Sequence, residues 1–197
     1  MLRIGLTGGL GSGKSTVAAI FEVLNIPVYY SDDASKRLLN ENAGIKASVI
    51  KAFGPASYPE GNPDRKYLAS VVFNDEKCLK ILNSILHPAT LADAEDWIKK
   101  QTAPYAIKEA ALIFESGSHQ SLDYVIGVKA PLPLRLKRVQ QRDSTDEKDA
   151  LARMNHQMDE EKKLELCDFI VVNDEQRLLI PQVLSLHQQL LQLAGES

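Results

Sequence analysis

Residues 8–16 read Gly8-Gly9-Leu10-Gly11-Ser12-Gly13-Lys14-Ser15-Thr16, and no other stretch of the chain restricts its fold as tightly. The segment satisfies G-x-x-x-x-G-K-[ST], a pattern that carries meaning only between a strand and a helix. Both flanks are present. Leu2, Ile4 and Leu6 alternate through a short apolar run that ends at Gly8-Gly9, a strand signal. After Lys14, Val17, Ile20, Phe21 and Leu24 recur at helical spacing until Asn25 and Pro27 stop the helix. Glycines let the backbone curl closely with its N–H groups inward, forming an anion nest at a helix N-terminus. Lys14 can reach the β and γ phosphates, and the Ser15 hydroxyl can ligate Mg²⁺. A plain connecting turn has no need of four glycines in six positions followed by Lys-Ser. Gly9, Gly11, Ser12, Gly13, Lys14, Ser15 and Thr16 are therefore expected to bind a nucleoside triphosphate, with Ser15 as the metal ligand.

Residues 27–30 read as a second strand, so the chain opens strand, glycine-rich turn, helix, strand. Such alternation calls for an α/β fold with a parallel sheet, because the crossover helix returns the chain to the same end. Strand patterns resume at 105–110, 124–128 and 169–172. Between the second and third strands, 33–53 and 65–101 read as helical, with Gly54, Pro55, Pro59, Gly61 and Pro63 marking an irregular stretch and His87-Pro88 an interruption. About seventy residues without a strand exceed a simple crossover and imply a helical insertion on one side of the core. Residues 134–166 form a charged segment. The last helix is expected over 175–193, with Leu178, Leu179, Val183, Leu186, Leu190 and Leu193 as its core-facing stripe.

Composition excludes several classes. The 197 residues carry 23 basic and 26 acidic side chains, a net charge of −3, which argues against a general nucleic-acid binder. No apolar run approaches the roughly 18 residues of a membrane span, and the start Met1-Leu2-Arg3 does not read as a signal peptide. Cys78 and Cys167 lie far apart without metal-ligand spacing, as expected of reduced thiols in the cytoplasm. A switch GTPase would show Asn-Lys-x-Asp after a late strand, whereas this chain has Asn173-Asp174-Glu175-Gln176. A small-molecule kinase needs an acceptor site near the second strand and a mobile cover carrying arginines. Asp32 follows the second strand, at the sheet end where ligands sit in open parallel sheets, and can take a proton from an acceptor hydroxyl or hold Mg²⁺ through water; it can equally be the N-cap of the next helix. Glu109 ends the third strand and invites the same reading more weakly, against the alternative of a surface carboxylate. Arg138 and Arg142, four residues apart, can share one helix face before the break at Ser144-Thr145 and close over phosphates, although a solvated helix face would look the same.

These features fall in a recognisable order: the loop over 5–15; Ser31-Asp32 with Ser35-Lys36; Arg65, Leu68, Phe73, Leu82 and Asn83, then His87-Pro88; 109–115 with Ser116-Gly117; and Arg138, Arg142-Asp143, Gln157, Asp168 and Asn173. Over nearly the whole chain this series resembles the dephospho-CoA kinase family, with Asp32 on the second aspartate of that family's Asp-Ala-Asp segment. Three positions depart from the pattern. Tyr30 stands where the family has its first aspartate, Ala111 replaces a proline, and Arg135 falls where glutamine is common; none of the three is expected to touch the phosphate loop.

The resemblance implies a P-loop NTP hydrolase-like parallel sheet flanked by helices, with a helical acceptor-binding insertion and a small helical lid. It divides the chain into a nucleotide-binding core (1–31, 102–134 and 166–197), an acceptor domain (32–101) and a lid (135–165). It also implies transfer of the ATP γ-phosphoryl, with Mg²⁺, to the ribose 3′-hydroxyl of dephospho-CoA. Asp32, Lys14 and Arg142 would be catalytic, Arg138 would join the loop in holding the nucleotide, and Asp32 and Arg65 would meet the acceptor. His87-Pro88 is expected to break a helix, and Trp97 to serve as core or cover. No nucleic-acid or membrane partner is expected, and a monomer is favoured. The competing readings are a P-loop kinase acting on a nucleoside or nucleoside monophosphate, and a non-catalytic ATP-binding regulator.

Overall fold

A computed structural model of the chain describes residues 1–195. Glu196 and Ser197, the end of the expected core segment 166–197, lie outside the described residues, as does the side chain of Phe73. The first half of the chain runs β1 (Leu2–Thr7), α1 (Lys14–Val23), β2 (Val28–Tyr30), α2 (Ser31–Glu41), α3 (Ala43–Phe53), α4 (Arg65–Asn74) and α5 (Glu76–Ile98). The second half runs β3 (Tyr105–Glu109), β4 (Tyr124–Lys129), α6 (Leu132–Asp143), α7 (Glu147–Asn155), α8 (Glu160–Glu165), β5 (Phe169–Val172) and α9 (Leu179–Gly195). Two compact units result: residues 1–30 with the chain from 100 onward, and residues 31–99.

The first unit is built on a five-stranded sheet of order β2-β3-β1-β4-β5, every neighbour parallel, as the strand–helix alternation required. Alternate residues of β1, Leu2, Ile4 and Leu6, turn to one face, where Val17, Ala18 and Phe21 of α1 and Val183, Leu186 and Leu190 of α9 complete the core. Burying Phe21 fully contributes about 1.5–3 kcal/mol. Tyr105 lies in the same core, edge-on to Phe21 at 6.3 Å between ring centroids. Its hydroxyl meets His187 Nδ1 at 2.6 Å. Burial pushes the Tyr105 phenol up and the His187 imidazole down from their ordinary values, favouring the neutral form of each. Helices α6, α7 and α8 belong to this unit as well.

The second unit is helical and has its own core of Leu38, Leu39, Ile45, Val49, Tyr58, Leu68 and Leu86. Each expected long helix proves to be two. Asn42 accepts a hydrogen bond from Ile45 N–H and starts α3, and Asp75 accepts from Lys77 and Cys78 N–H and starts α5. The irregular stretch is pinned by Tyr58, whose hydroxyl donates to the Leu39 carbonyl at 2.8 Å.

His87-Pro88 does not break a helix. Helix α5 runs through it for 23 residues, although an interior proline costs about 3 kcal/mol. Leu86, Thr90, Ala94 and Ile98 fall four residues apart along one buried face, and their burial offsets the cost. The last helix begins later than expected. Asp174 accepts from Gln176 and Arg177 N–H and Glu175 takes a left-handed φ of 63°, so the chain turns before α9 and leaves Leu178 exposed rather than in the stripe. Among the described residues no helix is long and apolar enough to cross a membrane.

Candidate functional site

The carboxyl ends of β1, β2 and β3 lie at one edge of the sheet, with Leu6 level with Glu109 and Glu109 level with Tyr30. The chain leaves β1 there into the loop 8–13, which delivers α1 with Gly13 as its N-cap. No acidic residue stands in the first turn of α1, so its positive end is left for an anion. Gly13 takes the left-handed conformation, φ 91° and ψ 29°, and its carbonyl accepts from Thr16 and Val17 N–H to start the helix. Lys14 lies over the loop, Nζ donating to the Gly8 carbonyl at 3.1 Å. Ser15 and Thr16 are exposed, while Ser12 is fully buried inside the loop. The loop thus presents Lys14, Ser15 and Thr16 at the start of α1 and encloses Ser12.

The loop is also held from outside, by residues the motif does not contain. Asn173, just past β5, donates from Nδ2 to the Ser12 carbonyl at 2.9 Å. Arg138 spreads its guanidinium over the carbonyls of Gly11 and Ser12 at 3.5 Å each and of Asn173 at 3.3 Å, and pairs with Glu175 at 3.2 Å. Arg135, expected clear of the loop, is against it. Its Nε donates to the Leu10 carbonyl at 3.0 Å, and its Nη1 pairs with Glu160. The Arg135 backbone abuts the loop as well: a methyl group added to Gly11 would stand 2.5 Å from the Arg135 carbonyl oxygen, an approach that spacing along the sequence cannot reveal. The Ala111 carbonyl accepts from Lys163 Nζ at 2.8 Å and from the Thr7 hydroxyl at 3.4 Å. Tyr30 donates its hydroxyl to Glu22 Oε2 on α1 at 2.9 Å.

The remaining candidates are placed as follows. Asp32 is the second residue of α2, inside its first turn rather than before it, and its carboxylate is exposed. Arg65, the first residue of α4, is exposed too. Both belong to the second unit. Glu109 is not a surface carboxylate but is 8% exposed at the end of β3. Arg142 does not share the surroundings of Arg138. It is mostly exposed and gives both Nε, at 2.7 Å, and Nη2, at 3.0 Å, to the carboxylate of Asp143. Those bonds, helped by Arg153, hold the Asp143 carboxyl down at about 2.

One buried pair was not legible beforehand. Lys163 of α8 is wholly buried, and its Nζ reaches Glu115 at 2.8 Å as well as the Ala111 carbonyl. The lysine thereby fixes the turn that follows β3 to α8. Among the described residues no group of three or more His, Cys, Asp and Glu side chains is arranged to hold a metal ion.

Comparison with known proteins bears on this geometry. The family model described as dephospho-CoA kinase matches residues 2–178. A dephospho-CoA kinase of Salinibacter ruber is 38% identical over 88% of this chain and 89% of its own. One from Bacteroides fragilis is 33% identical over 94% of this chain and 91% of its own. Among solved structures, TT1252 from Thermus thermophilus superposes with a TM-score of 0.85 at 31% identity, covering 95% of this chain and 96% of that one. Dephospho-CoA kinase from Campylobacter jejuni superposes with a TM-score of 0.71 at 30% identity, covering 99% and 98%.

Proposed function

The chain belongs to the dephospho-CoA kinase family, and on that premise we propose how its residues transfer the ATP γ-phosphoryl to the ribose 3′-hydroxyl of dephospho-CoA to give coenzyme A and ADP. The observation that carries the reading is the phosphate loop at the start of α1, with Lys14 folded over it and no acid in the helix's first turn. A phosphoryl transition state spreads negative charge over its equatorial oxygens, so the site has to position and neutralise. The amides of Gly11, Gly13 and Lys14, at the start of α1, cradle phosphate oxygens, and Lys14 exchanges the Gly8 carbonyl for them. Arg138, lying on the carbonyls of Gly11 and Ser12, keeps a positive charge beside the loop.

Mg²⁺ fits the residues present. It is a cation that prefers substrate phosphates, waters and one or two protein oxygens to a cage of side chains. The exposed Ser15 hydroxyl next to Lys14 offers one such oxygen. When bound, the ion supplies charge neutralisation at the β and γ phosphates.

Asp32 orients and deprotonates the acceptor hydroxyl, from a position two residues past the carboxyl end of β2. Arg65 meets the acceptor's phosphates. Residues 32–101 serve as the acceptor domain and 135–165 as a lid, on which Arg142 gives up Asp143 for the transferring phosphoryl group and water is excluded. Cys78 and Cys167 form no disulfide, and burial pushes the Cys167 thiol up to about 12, which suits a protein of the reducing cytoplasm.

The test is Asp32→Asn, assayed for turnover and for ATP binding. Turnover is expected to fall about 10²–10⁴-fold with ATP affinity unchanged. Near-normal turnover would refute Asp32 as the base, and its loss in Glu109→Gln would pass the role to that buried carboxylate instead.

A further inference from the structure

Leu10, at the outer bend of the phosphate loop, is held on every side by the segment 135–157. Its N–H donates to Gln157 Oε1 at 3.0 Å, and its carbonyl accepts from Arg135 Nε at 3.0 Å. Its side chain packs on the cluster of Val139, Ala150 and Met154. Arg135 also lies against Gly9, where an added methyl group would stand 2.6 Å from Nη2, so only glycine admits the guanidinium there. That guanidinium side chain is 7% exposed and has Glu160 as its counter-ion.

Amides that cradle a phosphate have to point into the loop. The amide of Leu10 points out of it, into Gln157, and both polar groups of its backbone are used to fix where residues 9–11 stand. We propose that Arg135 and Gln157 are positioning residues for the nucleotide: through Leu10 they hold the outer bend of the phosphate loop in place before ATP arrives. The inference rests on the reading that this loop binds ATP. Its physical content is preorganisation. A loop fixed beforehand does not lose binding free energy to its own ordering, whereas a loop released from its anchors does. Because Glu160 neutralises Arg135, the arginine acts through geometry rather than through charge at the phosphates. Lysine, which keeps the charge but has no Nε donor and no planar fork, is therefore not a substitute.

The experiment is calorimetric titration of ATP and, separately, of dephospho-CoA into the unaltered protein, Gln157→Ala and Arg135→Lys, with unfolding midpoints measured alongside. Each substitution is expected to weaken ATP about five- to tenfold, the scale of one lost hydrogen bond in a buried setting, and to leave dephospho-CoA binding unchanged. The double variant is expected to lose less than the product of the two, since both act through Leu10. Unchanged ATP affinity in folded Gln157→Ala would overturn the proposal. So would equal weakening of both substrates together with a lowered midpoint, which marks a packing defect. If Arg135→Lys fails to fold, Gln157→Ala carries the test alone, since its side chain is only partly buried. Failure of the unaltered protein to bind ATP would overturn the nucleotide reading itself, an outcome separate from the others.

Discussion

Replacing Gly13 by alanine separates two reasons for a glycine in the phosphate loop. If the glycine serves only the close approach of phosphates, the nucleotide-free protein is indifferent to the added methyl. The surroundings of Gly13 imply otherwise. At φ 91° it is left-handed, where an L side chain costs about 1–2 kcal/mol. The reduced freedom of the unfolded chain offsets about 0.4–1 kcal/mol of that. The new Cβ would also stand 2.1 Å from Asn173 Nδ2. Asn173 then has to swing away and give up its 2.9 Å bond to the Ser12 carbonyl, worth about 1–1.5 kcal/mol in a partly buried setting. The expected loss for Gly13→Ala is about 2 kcal/mol. In an Asn173→Ala background the obstacle and the bond are already gone, so only the backbone part remains, about 0.5–1 kcal/mol. The assay is urea unfolding of the four proteins of this cycle without nucleotide, followed by circular dichroism. A loss under about 0.5 kcal/mol, or equal losses in the two backgrounds, would refute the steric argument.

Two further outcomes are expected. Lys163→Met removes the partner of Glu115 from a pair whose lysine is wholly buried, and urea unfolding is expected to show a loss of about 2–4 kcal/mol; adding Glu115→Gln should recover at least half of it, and no recovery would mean that the lysine acts through its stem alone. Asp143, with its carboxyl held at about 2, chiefly by Arg142, has a folded value below the unfolded one near 3.9. Its contribution is thus complete above about pH 5 and disappears as the pH falls toward 2, amounting to about 1 kcal/mol once the exposure of its arginine partners is allowed for. Urea midpoints at several pH values should show Asp143→Asn flattening this acid limb, and an unchanged limb would refute it.

The parallel sheet and the loop were legible because both rest on local signals: alternation in β1, glycines at the turn, helical spacing from Val17 onward. Helix ends were less so. Asn42 and Asp75 fall inside continuous helical patterns, although each is a capping residue whose role depends on side-chain bonds that the pattern does not show. Pro88 misled in the other direction, since burial of the face bearing Leu86, Thr90, Ala94 and Ile98 outweighs a local helix breaker. At the site, the motif residues themselves were found by pattern. Arg135, Gln157 and Lys163 were not assigned their roles, because each acts across a gap of at least 48 residues from the sheet edge or loop it supports. Only the packing of the segment from α6 to α8 against the phosphate loop and the turn after β3 brings them there. Arg138 and Arg142 illustrate the same limit: helical spacing relates their faces, but Asp143 captures one guanidinium and the loop carbonyls the other.

The acceptor profile tests the central claim most directly. ADP release would be followed with Mg-ATP while dephospho-CoA, adenosine, AMP and uridine are supplied in turn, and the product of any turnover would be analysed for its phosphorylated position. Turnover confined to dephospho-CoA, with a new phosphate on the ribose 3′-oxygen, is the result the proposed mechanism requires. Turnover on a nucleoside or on AMP, with none on dephospho-CoA, would contradict it.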